Sequence, residues 1–389
     1  MLKKYALLAC ILALLPLVAA HASVEGSLPD VVRRLLTHID SLAVKGIDRR
    51  YIGVPEKPWQ VVLRGNVNKA ALDMKSTIND NDIFDLFDGE MNSNYYIRSG
   101  LETYLGVWAG YRGYGIGYSR ALGGSSEGSL LTLGMTGSCY GVNFRNHHFV
   151  TNECEIHDRG NVLGYTVDTT TVSVLASPIH VRSIILDGYY LFNGRRFSYS
   201  AAYDQSAYQL RSAGSFMLGG MYYYGHIDYA KPQNMGFIFM MDDVGQMRQW
   251  QASIGAGYAY NYVPVKGLLI SGMLMPMMTV FNRLTTYRYD TLIKQLFLKD
   301  PTTDLDGLIG DGEEPNEEEW MWRDENRYKT TQMSHITLNF NARASVTYNF
   351  GEHAYFNAYG QLYNFRFHHD NNRGNLTEWF VNAALGIRF

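Results

Sequence analysis

The sequence predicts an up-and-down antiparallel β-barrel that spans a membrane, and three observations carry that expectation. First, residues 335–350 alternate without an error. Ile336, Leu338, Phe340, Ala342, Ala344, Val346, Tyr348 and Phe350 fall on one side, and His335, Thr337, Asn339, Asn341, Arg343, Ser345, Thr347 and Asn349 on the other. A period of two is that of a strand, and a soluble strand of about five or six residues has no use for so long a run. Second, only 18% of the 389 residues are charged while 14% are aromatic. Soluble domains are about a quarter charged, so the surface holds too few charges to be wholly wetted. Third, the connections 122–128, 263–267 and 350–353 are short, whereas 79–91, 146–170, 228–246 and 287–330 are long and polar, with a smaller polar one at 369–375. Barrels of the outer-membrane type carry short turns on the periplasmic side and long loops outside.

In chain order, Lys3 and Lys4 precede an apolar run to Ala20, followed by Ala20-His21-Ala22. That is the layout of a secretory signal peptide cleaved near Ala22, giving residues 1–22 as signal. A lipobox at Leu7-Leu8-Ala9-Cys10 is the rival, but the apolar run before Cys10 is shorter than the roughly 7–15 residues a signal core uses. Residues 23–58 read as a periplasmic N-terminal segment. Within it Val32, Leu35, Leu36, Ile39 and Leu42 make the apolar stripe of a short helix, and Pro55 and Pro58 stop any helix before the barrel. The helix reads as a plug or cap, with a partner-binding role as the alternative. No later apolar run is long enough for a transmembrane helix.

Residues 59–389 read as the barrel. Strands at 59–78, 93–121, 129–146, 171–191, 206–227, 247–263, 267–284, 333–350, 353–368 and 376–389 alternate short and long connections and leave both termini in the periplasm. This gives about ten strands, with 93–121 as one strand carrying a glycine bulge at Gly110–Gly113, where the apolar parity switches from Leu105 and Val107 to Ile116 and Tyr118. Twelve is the competitor, since Phe197–Tyr208 has room for an extra crossing. Cys139 then falls mid-strand and Cys154 in a loop, as two unrelated thiols or as a disulfide, which export permits. Trp250, Ala252, Ile254, Ala256, Tyr258, Tyr260 and Tyr262 form one face of 249–262, with rings at the ends and small side chains between, as expected for a lipid-facing strand. The opposite faces carry Asn, Thr, Ser and Gly rather than the Lys and Glu of an open surface. A soluble barrel or sandwich is therefore the weaker reading.

The stretch Ile47–Arg64 (IDRRYIGVPEKPWQVVLR), with Trp108–Tyr118 and Asp187–Asn193, resembles an uncharacterised, domain-of-unknown-function family of Gram-negative outer-membrane barrels. The resemblance implies an outer-membrane barrel and supplies no substrate and no catalytic residues. It also implies that the terminal strand, with Trp379, Val381, Leu385, Ile387 and Phe389 at alternate positions, is the signal read by the barrel-assembly machinery.

Net charge is −3 and no basic patch is interleaved with aromatics, so nucleic acid is not an expected partner. No phosphate loop, serine elbow or zinc signature is present, and no cofactor or metal is expected. Expected partners are outer-membrane lipid and lipopolysaccharide. Glu102, Glu378, Arg64, Arg211, Arg343 and Arg388 are expected to face the lumen, where they brace the wall or line a thin anion or small-solute path. His147, Asp242, Asp243, His368 and Asp370 fall near the expected extracellular rim. There a His-Asp pair and facing carboxylates would have the parts to activate a water. The leading functional reading is a narrow channel or a structural or binding surface barrel, and the alternative is a rim hydrolase, protease-like or lipid-acting.

Overall fold

The computed structural model describes residues 30–79, 90–122, 128–162, 165–234, 237–238, 241, 244–289, 327–333, 336–369 and 372–389. The expected signal peptide lies outside them. Helix α1 (Asp30–Val44) and a two-residue strand β1 (Ile52–Gly53) precede the wall. The wall begins with β2 (Trp59–Asn79), β3 (Glu90–Arg98), β4 (Glu102–Tyr111), β5 (Tyr114–Ala121) and β6 (Ser129–Thr136), followed by β7 (Tyr140–Val162) and β8 (Tyr165–Leu191). After β8 a short helix α2 (Tyr199–Tyr203) and strand β9 (Tyr208–Gln209) interrupt the wall. It resumes with β10 (Ala213–Asp228), β11 (Val244–Val265), β12 (Leu268–Tyr289), β13 (Arg327–Met333), β14 (Leu338–Phe350), β15 (Ala354–His369) and β16 (Asn372–Arg388).

All pairings are antiparallel, and the ring closes where β16 pairs with β2, from Arg388↔Gln60 to Arg373↔Lys75. At its end the Phe389 N–H donates to Trp59 O at 3.0 Å and Phe389 O accepts from Trp59 N at 3.2 Å. At the end holding Trp59 and Phe389, called here the near end, the wall is β2, β4, β5, β6, β7, β8, β10, β11, β12, β14, β15 and β16, twelve strands. Toward the far end β3 alone bridges β2 and β7, replacing β4, β5 and β6.

The count of ten is therefore corrected to twelve at the near end. Residues 93–121 are not one strand: Arg112 (φ 50) and Gly113 (φ 89) make a two-residue hairpin between β4 and β5. Positive φ at both central residues is the primed turn that matches the twist of paired strands. The parity switch needs no bulge, because Val107 pairs directly with Tyr118 and directly paired residues share a face. Residues 129–146 also split, between β6 and β7 around Gly137–Cys139. Each missed hairpin alone would have broken the alternation of connection sides, but the two together restore it, so parity was blind to the error. Connection 122–128 consequently joins β5 to β6 on the far side rather than forming a periplasmic turn. Residues 146–170 are the arms of the β7–β8 hairpin rather than a loop. Cys154 thus lies in a strand and Cys139 in a turn, the reverse of expectation, and both are free thiols.

The two faces follow the sequence parity. Val381, Leu385, Ile387 and Phe389 are exposed on the outside, as are Ile254, Tyr258, Tyr260, Tyr262, Val346, Tyr348 and Phe350, while Asn341, Arg343, Ser345 and Thr347 are buried in the lumen. The lumen is not uniformly polar. Met217, Met221, Met273, Met275 and Met277 pack there with Tyr223 and Phe365 into an apolar layer, built from the inward parity of β10 and β12.

Gly113 should be sensitive to substitution, because its φ lies in the left-handed region and a Cβ would sit 2.9 Å from Thr136 O. Gly113→Val is expected to cost about 1–3 kcal/mol. On gels, its folded band should convert to the unfolded band at a lower temperature than wild type.

Candidate functional site

Residues 192–212 leave the wall after β8 and fold back into the near mouth of the barrel. Ser198 caps α2 by accepting from the Ala201 N–H at 3.2 Å, and Phe197, Tyr199, Ala201 and Ala202 are fully buried. The backbone carbonyls of this plug are taken up by wall side chains. Asn261 Nδ2 donates to Ser198 O at 2.8 Å, Asn357 Nδ2 to Ala202 O at 3.2 Å and Gln60 Nε2 to Asp204 O at 2.9 Å. Arg388 donates to Gln205 O through Nε at 3.1 Å and Nη2 at 2.8 Å. Irregular backbone at this depth must find protein partners, and each of these amides or guanidinium groups sits at an inward position of its strand.

The N-terminal segment seals the plug from below. Strand β1 pairs with β9, Asp48 N–H donates to Arg195 O at 2.8 Å, and Tyr111 OH donates to Asp40 Oδ2 at 2.8 Å. Arg112 Nε lies 3.1 Å from Asp40 Oδ1. Residues 40–53 thus form a cap over the plug, with the helix contributing Asp40, while the plug itself comes from a stretch weighed as an extra crossing. Arg211, expected in the lumen, is instead exposed beside this cap, with its guanidinium 5.9 Å from the Tyr51 ring.

Two buried charge networks span the lumen beyond the plug. In the first, His147 of β7 stands between Glu102 of β4 and Glu378 of β16, with Nε2 3.2 Å from Glu102 Oε2 and Nδ1 3.1 Å from Glu378 Oε1. Both carboxylates can accept from the ring only if both nitrogens carry hydrogens. Tyr104 OH donates to Glu102 at 2.6 Å, Ser183 Oγ to Glu378 at 3.0 Å, and Arg145 Nη2 lies 3.2 Å from Glu378. With the ring as an imidazolium, two cations face two anions. In the second network Arg343 Nη2 meets Asp187 Oδ2 at 2.5 Å. Tyr363 OH and Asn143 Nδ2 each donate to Asp187 at 3.0 Å, and Arg343 also bonds the Tyr199 hydroxyl of the plug. These pairs join strands on different sides of the ring and tie the plug to the wall.

Among the expected lumen charges, Glu102, Glu378, Arg343, Arg388 and Arg64 point inward. His147 is not at the rim. It is fully buried, because residue 147 belongs to β7 and shares the inward parity of Asn143 and Arg145. Asp242, Asp243 and Asp370 lie outside the described residues, as does the side chain of His368, whose backbone lies in β15. Arg145, Asp187, Tyr104 and the plug residue Tyr199 were missed. Reading 146–170 as strand would have placed His147 on the lumen face of Arg145. Nothing in the sequence places Tyr199 against Arg343. Among the described residues no group of three His, Cys, Asp or Glu side chains is arranged to hold a metal ion.

The family model for the domain of unknown function DUF4421 matches residues 60–389, which spans the barrel from β2 to its last residue. The chain belongs to this family. No curated protein matches the sequence. Solved structures that match the chain do so at low similarity. The outer membrane protease OmpT from Escherichia coli is 6% identical, with 86% of this chain and 97% of that one covered at a TM-score of 0.34. OprG from Pseudomonas aeruginosa is 12% identical (86% and 98% covered, TM-score 0.26), and the COG4313 outer membrane channel from Pseudomonas putida F1 is 10% identical (87% and 98%, TM-score 0.27). At these scores the likeness carries no argument for a shared activity.

Removing one member of a buried pair strands its partner, at a cost of roughly 3–5 kcal/mol. Glu378→Ala should therefore lower the urea unfolding midpoint of the detergent-solubilised barrel strongly, since it leaves Arg145 and His147 facing no carboxylate but Glu102. Asp187→Asn and Arg343→Gln should each destabilise, and the double variant should lose less than the sum of the two, because both act on one contact.

Proposed function

We propose that the protein is an integral barrel of a bacterial outer membrane, exported by a signal peptide cleaved near Ala22, with a closed lumen that makes it a structural or binding barrel of the cell surface rather than a channel. The folded plug at 192–212 carries the reading. It fills the near mouth, its carbonyls are held by Asn261, Asn357, Gln60 and Arg388, and the Met and aromatic layer fills the lumen above the charge networks. A conducting path would need a continuous wet route, and the plug and the apolar layer stand against one.

Membrane insertion is supported by the outer face. Aliphatic residues such as Leu63, Val107, Leu218, Ile254, Leu274 and Leu385 are exposed there with a near-end cluster of Tyr260, Tyr262, Tyr348, Phe350 and Phe389. Apolar surface this extensive is not left facing water, and an aromatic girdle marks the bilayer interface. Outer-membrane lipid and lipopolysaccharide are its proposed surroundings, and the exposed alternate residues of β16 its signal to the barrel-assembly machinery. Beyond the last β10 pair, Asp228↔His180, the β8 arm of the β7–β8 hairpin runs on without a neighbour from β10. Its Thr166, Thr169, Thr170 and Thr171 are exposed and Arg159 lies 3.8 Å from Asp168, a hydrated surface suited to contact outside the membrane. Of the residues in the hydrolase reading, His147 is not on the rim, since it is fully buried between two carboxylates.

In planar bilayers the wild-type barrel should give no steady conductance, while replacing residues 196–207 by a short Gly-Ser linker should open one. Steady channels from the wild type would sink the closed-lumen reading. A folded band that does not change mobility on boiling would sink the closed barrel itself.

A further inference from the structure

Between the plug and the two charge networks lies a cavity of about 100 Å³. At about 30 Å³ per water in the liquid, it has room for a ligand the size of a few waters. Arg64 of β2, Arg145 of β7 and Arg343 of β14 reach it from three sectors of the wall, and Tyr203 of the plug closes it from the near side. The three guanidinium groups differ in how far they are already engaged. Arg343 is committed to Asp187 at 2.5 Å.

Arg145 is 95% buried, and although its Nη2 lies 3.2 Å from Glu378, none of its three nitrogens has a hydrogen-bond acceptor. Arg64 has no carboxylate within ion-pair distance among the described residues. It donates to Thr132 Oγ1 at 3.2 Å, sits 5.7 Å from the Trp108 ring, and leaves Nε without a partner. Buried donors without acceptors are costly, most of all on cations, and Arg64 and Arg145 both line this one space.

We propose that this cavity is a binding site for a small oxyanion, of the inorganic phosphate or sulfate class, held by Arg64 and Arg145. An anion supplies several acceptors at once and offsets the unpaired charge of Arg64. Planar guanidinium forks suit oxyanion edges. The one carboxylate that lines the cavity, Asp204, is turned to other donors: it accepts from the Ser206 N–H at 2.9 Å and Oγ at 2.5 Å, and from the Thr136 hydroxyl. The site rests on the closed-lumen reading, because the plug residue Tyr203 forms part of it. The anion is enclosed as the plug docks and acts as a piece of the lumen's charge balance.

The test uses the full mature chain, refolded from urea into detergent with radiolabelled phosphate or sulfate at fixed ionic strength, then freed of unbound label by gel filtration. Wild type should retain close to one anion per chain. Arg64→Gln, which strands no carboxylate, should retain at least tenfold less, and Arg64→Lys an intermediate amount, with the heat-modifiable gel band confirming that each variant is folded. No retained anion in the wild type would overturn the proposal, as would equal retention by folded Arg64→Gln. Should neither variant fold, anion that exchanges out of the wild type as fast as from a plugless barrel (196–207 replaced by Gly-Ser) overturns the site, and slow release from wild type alone upholds it. Failure of the closed-lumen reading is seen separately, as wild-type conductance.

Discussion

Closure of the backbone hydrogen-bond ring is the constraint on which everything else in this molecule depends. An open sheet edge in hydrocarbon would leave a row of N–H and C=O groups without partners, each at a cost of several kcal/mol. The pairing of β16 with β2, ending on the reciprocal bonds between Trp59 and Phe389, removes that edge. Once the ring is closed, side-chain alternation has only two destinations, lipid and lumen. Every strand's sequence is then constrained twice over, apolar at one parity and compatible with a crowded interior at the other.

The interior solves the second problem in layers. Charges that face the lumen are costly when isolated, and two sets are matched here, Glu102 and Glu378 against His147 and Arg145, and Asp187 against Arg343, while Arg64 has no carboxylate beside it among the described residues. The plug follows the same logic in backbone form. The carbonyls at and beyond the end of its short helix, those of Ala202, Asp204 and Gln205, are taken by inward amides and Arg388. Arg343 belongs to both systems, since it pairs with Asp187 and also bonds Tyr199 of the plug. Wall bracing and mouth closure are therefore mechanically one arrangement.

Much of this was legible where the period-two signal was long. The faces of 335–350, 249–262 and 378–389 read directly from the sequence, and Arg343, Arg388 and Glu378 were placed in the lumen by parity alone. The errors came at short strands and turns. Strands β5 and β6 have eight residues each, too few for an alternation to stand out, and the Arg112–Gly113 turn has only one glycine to announce it. His147 was misplaced because a polar run, HHFVTNECEIHD, looks like a loop. Where the β7–β8 hairpin continues beyond the last β10 pair, polar residues continue the strand without ending it.

The sequence by itself determined the class of fold, the strand faces and the way the chain ends, because these depend on local periodicity and on the composition a lipid-facing wall requires. Only the tertiary structure decided the strand number, the closed mouth and the partners of the buried charges. A residue's parity says that it points inward but not what stands opposite. His147 meets Glu378 across 231 positions of sequence, and that meeting is fixed by ring closure and register, which are properties of the whole barrel rather than of any segment.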